Sequence, residues 1–299
     1  MQSIVPAGTQ IVASGEVRVA ETGKTLPAGA VGVVTRAPAD ATHAYRIRFV
    51  DGSEASLRRD DFRILHAVRD SGIGEAADID WTKFIIFRCI VGSRAFGLDH
   101  DESDIDRRGI YLPPADLHWA LFGVPEQFEN DATQEVYWEL EKFLKLALKA
   151  NPGILECFYS PLVELTNELG DELLAMRDSF LSKLVYQTYN GYVLSQFKKI
   201  EQDVRARGAI KWKHPMHLIR LLLSGITILR DRVVPVRVDQ YRDQLLAIRR
   251  GEMPWEEINA WRLALHRELD DAFTRTTLPD RPDFERANAF LLKARRSMV

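Results

Sequence analysis

Val91-Gly92-Ser93-Arg94-Ala95-Phe96-Gly97-Leu98-Asp99-His100-Asp101-Glu102-Ser103-Asp104-Ile105-Asp106-Arg107-Arg108-Gly109-Ile110-Tyr111-Leu112 is the stretch on which the reading of this chain turns. The residues leading into it, 84–91, are almost continuously apolar, as a central strand requires. That strand runs into a Gly-Ser turn, where free backbone N–H groups and a hydroxyl suit a phosphate, above all if a helix begins there. A second strand is expected to open at Asp104-Ile105-Asp106 and run through Leu112. Side chains alternate along a strand, so Asp104 and Asp106 share one side with Ile105 opposite. Two carboxylates this close repel unless a cation sits between them. Mg²⁺ is bound in this way, by carboxylate oxygens together with substrate phosphates. Acids stand at five of the eight positions 99–106, a density that unpaired surface charge disfavours unless cations visit. Asp99, Asp101 and Glu102 read as a solvated loop.

Outward from this stretch the chain falls into three regimes, with expected boundaries at 1–68, 78–160 and 161–299. Residues 1–66 offer short alternating runs at 10–13, 17–20, 31–35, 45–49 and 54–57, separated by Gly- and Asp-rich turns. Five such strands suggest a small SH3-like β-barrel, with Asp51-Gly52 closing a tight hairpin. Residues 69–80 read as an acidic, glycine-containing connection. After the central stretch, residues 131–138 read as a strand whose alternation puts Asp131 and Glu135 on one face. A helix follows over 139–150, stopped by Asn151-Pro152-Gly153. The remainder is helical, with the 3.6-residue period over 179–203, 217–231, 255–274 and 283–296. The fold class is therefore α+β: a small barrel, a core with a mixed sheet, and a helical domain.

Gly92-Ser93, ten intervening residues and Asp104-x-Asp106 resemble the signature of the DNA polymerase beta-like nucleotidyltransferase superfamily. Gly-Ser-Arg-Ala-Phe-Gly, Ser-Asp-Ile-Asp-Arg-Arg-Gly-Ile-Tyr, the Glu139–Leu144 segment and Asn151-Pro152-Gly153-Ile154-Leu155-Glu156 are similar to one branch, named for a proposed RNA repair pathway. The resemblance is strong over 81–160, continues through the helical region at Tyr192, Gln196, Lys211, His217 and Arg220, and does not reach residues 1–70. It implies a polymerase-beta-like core and two-metal nucleotidyl transfer with Mg²⁺ or Mn²⁺. A nucleoside monophosphate would move from an NTP to an acceptor hydroxyl, with pyrophosphate leaving. Asp104 and Asp106 would hold the metal that grips the triphosphate. A third carboxylate, Glu135 with Asp131 as its rival, would help hold the second. Gly92, Ser93 and Arg94 would bind phosphate oxygens. An RNA 3′ end is the acceptor that the branch name suggests, and a protein partner is chemically equivalent. A silent nucleotide- or RNA-binding module is the reading from another class.

Residues 198–250 carry 13 Lys or Arg against five Asp or Glu, inside a chain of net charge −3. This asymmetry suits a phosphate-rich ligand, and Lys211, His217 and Arg220 are its expected contacts, the last two on one helix face. His214 and His217 lack the cysteine or carboxylate pattern of a zinc site. Trp119, Phe122, Tyr137 and Trp138 could stack on a base, although core packing is the commoner fate. No Gly-Lys-Ser/Thr follows the glycines, so neither a Walker motif nor a dinucleotide fingerprint is present. Cys89 and Cys157 are the only cysteines, too few for a disulfide framework or a four-cysteine metal site. No apolar run is long enough to span a bilayer; Arg220 breaks the nearest, 218–229. With no secretory signal visible, the expected location is the cytoplasm.

Overall fold

The computed structural model describes residues 4–20, 22–38, 43–65, 79–100 and 103–299. Asp101, Glu102 and all but the last two residues of the expected connection at 69–80 lie outside the described residues. The chain divides into two compact units, Met1–Ile79 and Asp80–Val299.

The first unit is all β. Its strands are β1 (Gln10–Ala13), β2 (Val17–Arg18), β3 (Thr25–Leu26), β4 (Val31–Arg36), β5 (Tyr45–Phe49), β6 (Glu54–Leu57) and β7 (Phe62–Ile64). Alternation along β5 buries Tyr45, Ile47 and Phe49 and leaves Arg46 and Arg48 outside, where Glu54 of β6 pairs with both at 2.8 Å. Gly52 takes a φ of 84° in the β5–β6 turn, as the Asp-Gly reading requires. The strands make one antiparallel sheet in the order β6-β5-β4-β1-β7, beside the β2–β3 hairpin. Among the described residues no pairing joins β6 to β7, so the barrel expected here is an open sheet. The three-residue β7 pairs with β1, leaving the outer edge of β6 without a strand partner.

In the second unit β8 (Ile85–Val91), β9 (Asp106–Tyr111), β10 (Gln127–Asn130), β11 (Glu135–Glu139) and β12 (Val163–Thr166) form a mixed sheet in the order β10-β11-β9-β8-β12. Among the described residues only the β9–β11 pair is parallel. The helices are α1 (Gly92–Phe96), α2 (Ala115–Trp119), α3 (Leu140–Leu148), α4 (Pro152–Tyr159), α5 (Glu168–Ala175), α6 (Leu184–Arg207), α7 (Lys213–Asp231), α8 (Arg242–Arg250), α9 (Trp255–Arg275) and α10 (Phe284–Arg296).

Local chemistry explains the joints. Glu139 ends β11 and caps α3, accepting from the amides of Glu141 (2.7 Å) and Lys142 (3.4 Å). Leu140, Phe143, Leu144 and Ala147 are the buried stripe of that helix. Asn151 then accepts from the Ile154 amide at 3.2 Å, and Pro152 opens α4, where its missing N–H costs nothing. The Asn-Pro-Gly sequence that stops one helix thus starts the next.

Helix α7 is buried nearly all round, as a helix at the centre of a bundle must be. This accounts for the apolar run at 218–229, and no described helix is long and apolar enough to cross a membrane. One core runs from Ile86 to Ala294, so sheet and helices after residue 80 pack as a single body. The boundary expected at residue 160 is not a gap in that packing.

Gly109 lies under the Tyr137 ring, where an added Cβ would meet the Phe87 carbonyl oxygen at 2.3 Å and the ring at 2.7 Å. Gly109→Ala is expected to destabilise this unit by about 1–3 kcal/mol, read as a lower urea midpoint with an unchanged slope.

Candidate active site

The junction between β8 and α1 sets the geometry. Val91 pairs with Asp106 across the β8–β9 ladder, and Gly92 then turns at a φ of 70° to open α1. A Cβ at Gly92 would stand 2.5 Å from Asp106 Oδ2, so the glycine lets this carboxylate lie against the start of the helix. Asp104 is exposed and lies two residues before β9, outside the strand expected to begin with it.

Gly92, Ser93, Asp104 and Asp106 line a cavity of about 300 Å³. Phe96, Leu98, His100 and Ser103 complete its sheet-side lining, and Lys213, Met216 and His217 of α7 with Arg249 of α8 enter from the helical side. His100 and Ser103, described residues between the two motifs, are tied to their surroundings. Ser103 Oγ accepts from the His100 amide at 3.0 Å, and Arg94 Nη2 donates to the Ser103 carbonyl at 2.9 Å. Arg94 therefore braces the loop and does not line the cavity.

Glu135 is elsewhere. In β9, Asp106 and Arg108 point to one face and Arg107 to the other, and Glu135 is paired with Arg107. Its carboxylate accepts from Tyr137 Oη at 2.8 Å and stands 3.9 Å from Arg107 Nη1. Arg107 in turn holds Glu164 at 2.8 Å, which also pairs with Arg88 at 3.1 Å. The face of Asp106 is covered instead by α4, where Cys89, the partner of Arg108, donates through Sγ to the Cys157 carbonyl at 3.7 Å. Asp131 is exposed in the turn before β11. Among the described residues no three His, Cys, Asp or Glu side chains assemble as a metal-binding group. Among the described lining residues Asp104 and Asp106 supply the carboxylates, a set that fits one divalent cation.

Two of the three basic-stretch expectations are also corrected. Lys211 is exposed ahead of α7 and does not line the cavity. Arg220 is buried behind it, paired with Glu156 and stacked 3.9 Å from the Phe96 ring centroid. Buried on both sides, it braces a cavity residue and has no route to a ligand. His217 does line the cavity. Burial, and then the charges of Arg220 and Lys213, push its pKa down to about 3, so the imidazole is neutral at physiological pH. His214 is engaged with Gln196 (3.1 Å) and Asp203 (3.6 Å). Lys213 and Arg249 were missed. Lys213 shares a helix face with Met216 and His217, a spacing open to reading, whereas Arg249 carries no local signal. None of the four candidate stacking aromatics lines the cavity: Trp138 packs on Phe143, Tyr137 is stacked on Phe128, and Trp119 and Phe122 are exposed.

With this geometry in hand, a family model described as RlaP, RNA repair pathway DNA polymerase beta family, matches residues 70–293. The chain belongs to this family. The match takes in the sheet, the cavity and nearly all of the helices, and leaves out most of the first unit. The chain is also 35% identical over 82 residues to an uncharacterized protein, YcgL, of Bacillus subtilis strain 168. That alignment covers 26% of this chain and 32% of the relative, so the chain spans about a third of the curated protein that it matches.

Within this RlaP-family site, two predictions follow from buried charge. Glu156→Ala leaves Arg220 buried and unpaired, and is expected to cost about 3–5 kcal/mol of stability in chemical denaturation. For His217, the unfolded chain takes up a proton near pH 6.5 that the folded chain refuses until about pH 3. Stability from this residue is therefore complete above pH 6.5 and falls as the pH drops below it, by up to about 1.4 kcal/mol per pH unit. Unfolding midpoints of His217→Gln between pH 7 and pH 5 are expected to fall less steeply than those of the unsubstituted protein.

Proposed function

We propose that the chain is a metal-dependent nucleotidyltransferase that moves a nucleoside monophosphate from an NTP to an acceptor hydroxyl, and that the acceptor is an RNA 3′ end. The observation that carries this reading is the convergence of Gly92-Ser93, Asp104 and Asp106 with Lys213 and Arg249 in one cavity. Carboxylates that hold a cation, a helix start that meets phosphate, and side-chain cations together match a metal-bound polyphosphate and little else. The family description supplies the RNA repair context.

Asp104 and Asp106 would hold Mg²⁺ or Mn²⁺, and the bound cation would screen the triphosphate and the charge that builds on it during transfer. Ser93 Oγ and the first amides of α1 meet phosphate oxygens, and Gly92 keeps the backbone close enough for this. The neutral His217 can hydrogen-bond a ligand without adding charge to it. The acceptor oxygen attacks the α-phosphorus, the bond to the bridging α–β oxygen breaks, and pyrophosphate leaves as the hydroxyl proton is released. Packing between the helices and the sheet fixes the groups around that line of attack.

Each α-³²P-labelled NTP is to be incubated with the protein, Mg²⁺ or Mn²⁺, and either a short RNA ending in a 3′ hydroxyl or a cell extract. Label is expected on the RNA, and Asp106→Asn is expected to reduce its appearance about 100-fold or more. Label on a protein of the extract alone would move the acceptor to a protein partner. Bound NTP without transfer to anything would make the site a recognition module.

A further inference from the structure

The third carboxylate of the two-metal pattern needs a place on β11 that shares the face of Asp106. The β11 residues on that face are Val136, paired with Arg108, and Trp138, paired with Ile110, and neither can ligate a metal. Glu135 lies on the opposite face, held by Tyr137. Gln134 turns its amide back to donate to the Asp131 carbonyl at 2.8 Å.

The cavity has another source of positive charge. Arg249 is held in place, with Nη1 donating to the Leu98 carbonyl at 3.2 Å. Arg242, about two turns earlier on α8, donates through Nε to the Gly97 carbonyl at 2.8 Å. Helix α8 is thereby fastened to the loop that leads from α1 to Asp104, and the Arg249 charge is present before any ligand arrives. Lys213 brings a second cation on a flexible stem from the first turn of α7.

We propose that this site takes its triphosphate with one divalent cation, on Asp104 and Asp106, and that Lys213 and Arg249 supply the positive charge that a second metal ion would otherwise bring. The inference rests on the nucleotidyltransferase reading and deepens it. One divalent ion and two side-chain cations carry four positive charges, of which the carboxylates of Asp104 and Asp106 offset two, and the net positive charge left in the cavity favours a polyphosphate. The two side chains then remain as the contacts of the departing pyrophosphate.

Mn²⁺ alone, titrated into the full chain and followed by the paramagnetic resonance signal of the free ion, is expected to bind once per chain. Asp104→Asn combined with Asp106→Asn is expected to bind none, and Glu135→Gln and Asp131→Asn are expected to bind one. Two ions per chain overturn the inference and leave the nucleotidyltransferase reading standing, whereas no ion at all overturns both. In a second arm, inorganic tripolyphosphate with Mg²⁺ is followed by calorimetry. Lys213→Ala and Arg249→Ala are each expected to bind it about tenfold more weakly, with Lys211→Ala unchanged. Arg249→Lys keeps the charge and is expected to recover most of the loss, which a bracing role through Leu98 would not allow. Unchanged affinity in both cavity variants overturns the inference.

Discussion

At Gly92 the backbone and a carboxylate compete for the same space. The φ of 70° and the 2.5 Å that would separate a Cβ from Asp106 Oδ2 leave room for one side chain, and it belongs to Asp106. Everything around the cavity depends on this choice. It lets β8 turn into α1 within a single residue, brings the Ser93 hydroxyl beside the acids, and anchors the β8–β9 ladder at its end. The same sheet register sends Arg107 and Glu135 to the far face, where they join Glu164 and Arg88 in an ion-pair network across β11, β9, β12 and β8. Partly exposed, that network shapes the far side of the sheet more than it stabilises it.

Charge is sorted between the two sources of the cavity lining. The sheet side is acidic and the helical side basic, and behind the latter Arg220 is locked to Glu156 and spread over the Phe96 ring. A buried pair of this kind is weak evidence for stability but strong for geometry, because neither partner can move without stranding the other. Phe96 lines the cavity from its place against that guanidinium, and His217 is kept neutral partly by the same charge. The cavity lining therefore combines the side-chain cations of Lys213 and Arg249 with an uncharged imidazole at His217.

What the sequence discloses follows locality. Gly92, Ser93, Asp104 and Asp106 are close along the chain and their spacing resembles a family signature, so they are legible. Helices α6, α7, α9 and α10 are legible because their apolar period repeats over several turns, whereas the nine-residue α8 is too short to show one. Glu135 is not, since alternation shows that Asp131 and Glu135 match each other and says nothing of which face β9 will offer them. That is decided by the β9–β11 register, a contact between strands about 30 residues apart. Arg220 looks like a partner of His217 on one helix face until α7 proves to be buried nearly all round. Closure of the first unit is equally non-local: five of the seven described strands can be read, but whether the last edge meets the first cannot.

The two arginine links from α8 to Gly97 and Leu98 join residues 145 and 151 positions apart. During synthesis the acidic loop leaves the ribosome long before its basic counterpart exists, by roughly 8–30 s at about 5–20 residues per second. A nascent chain in that interval has the carboxylates and the Gly-Ser turn but no cationic lining. The cavity is thus completed late, when α8 docks.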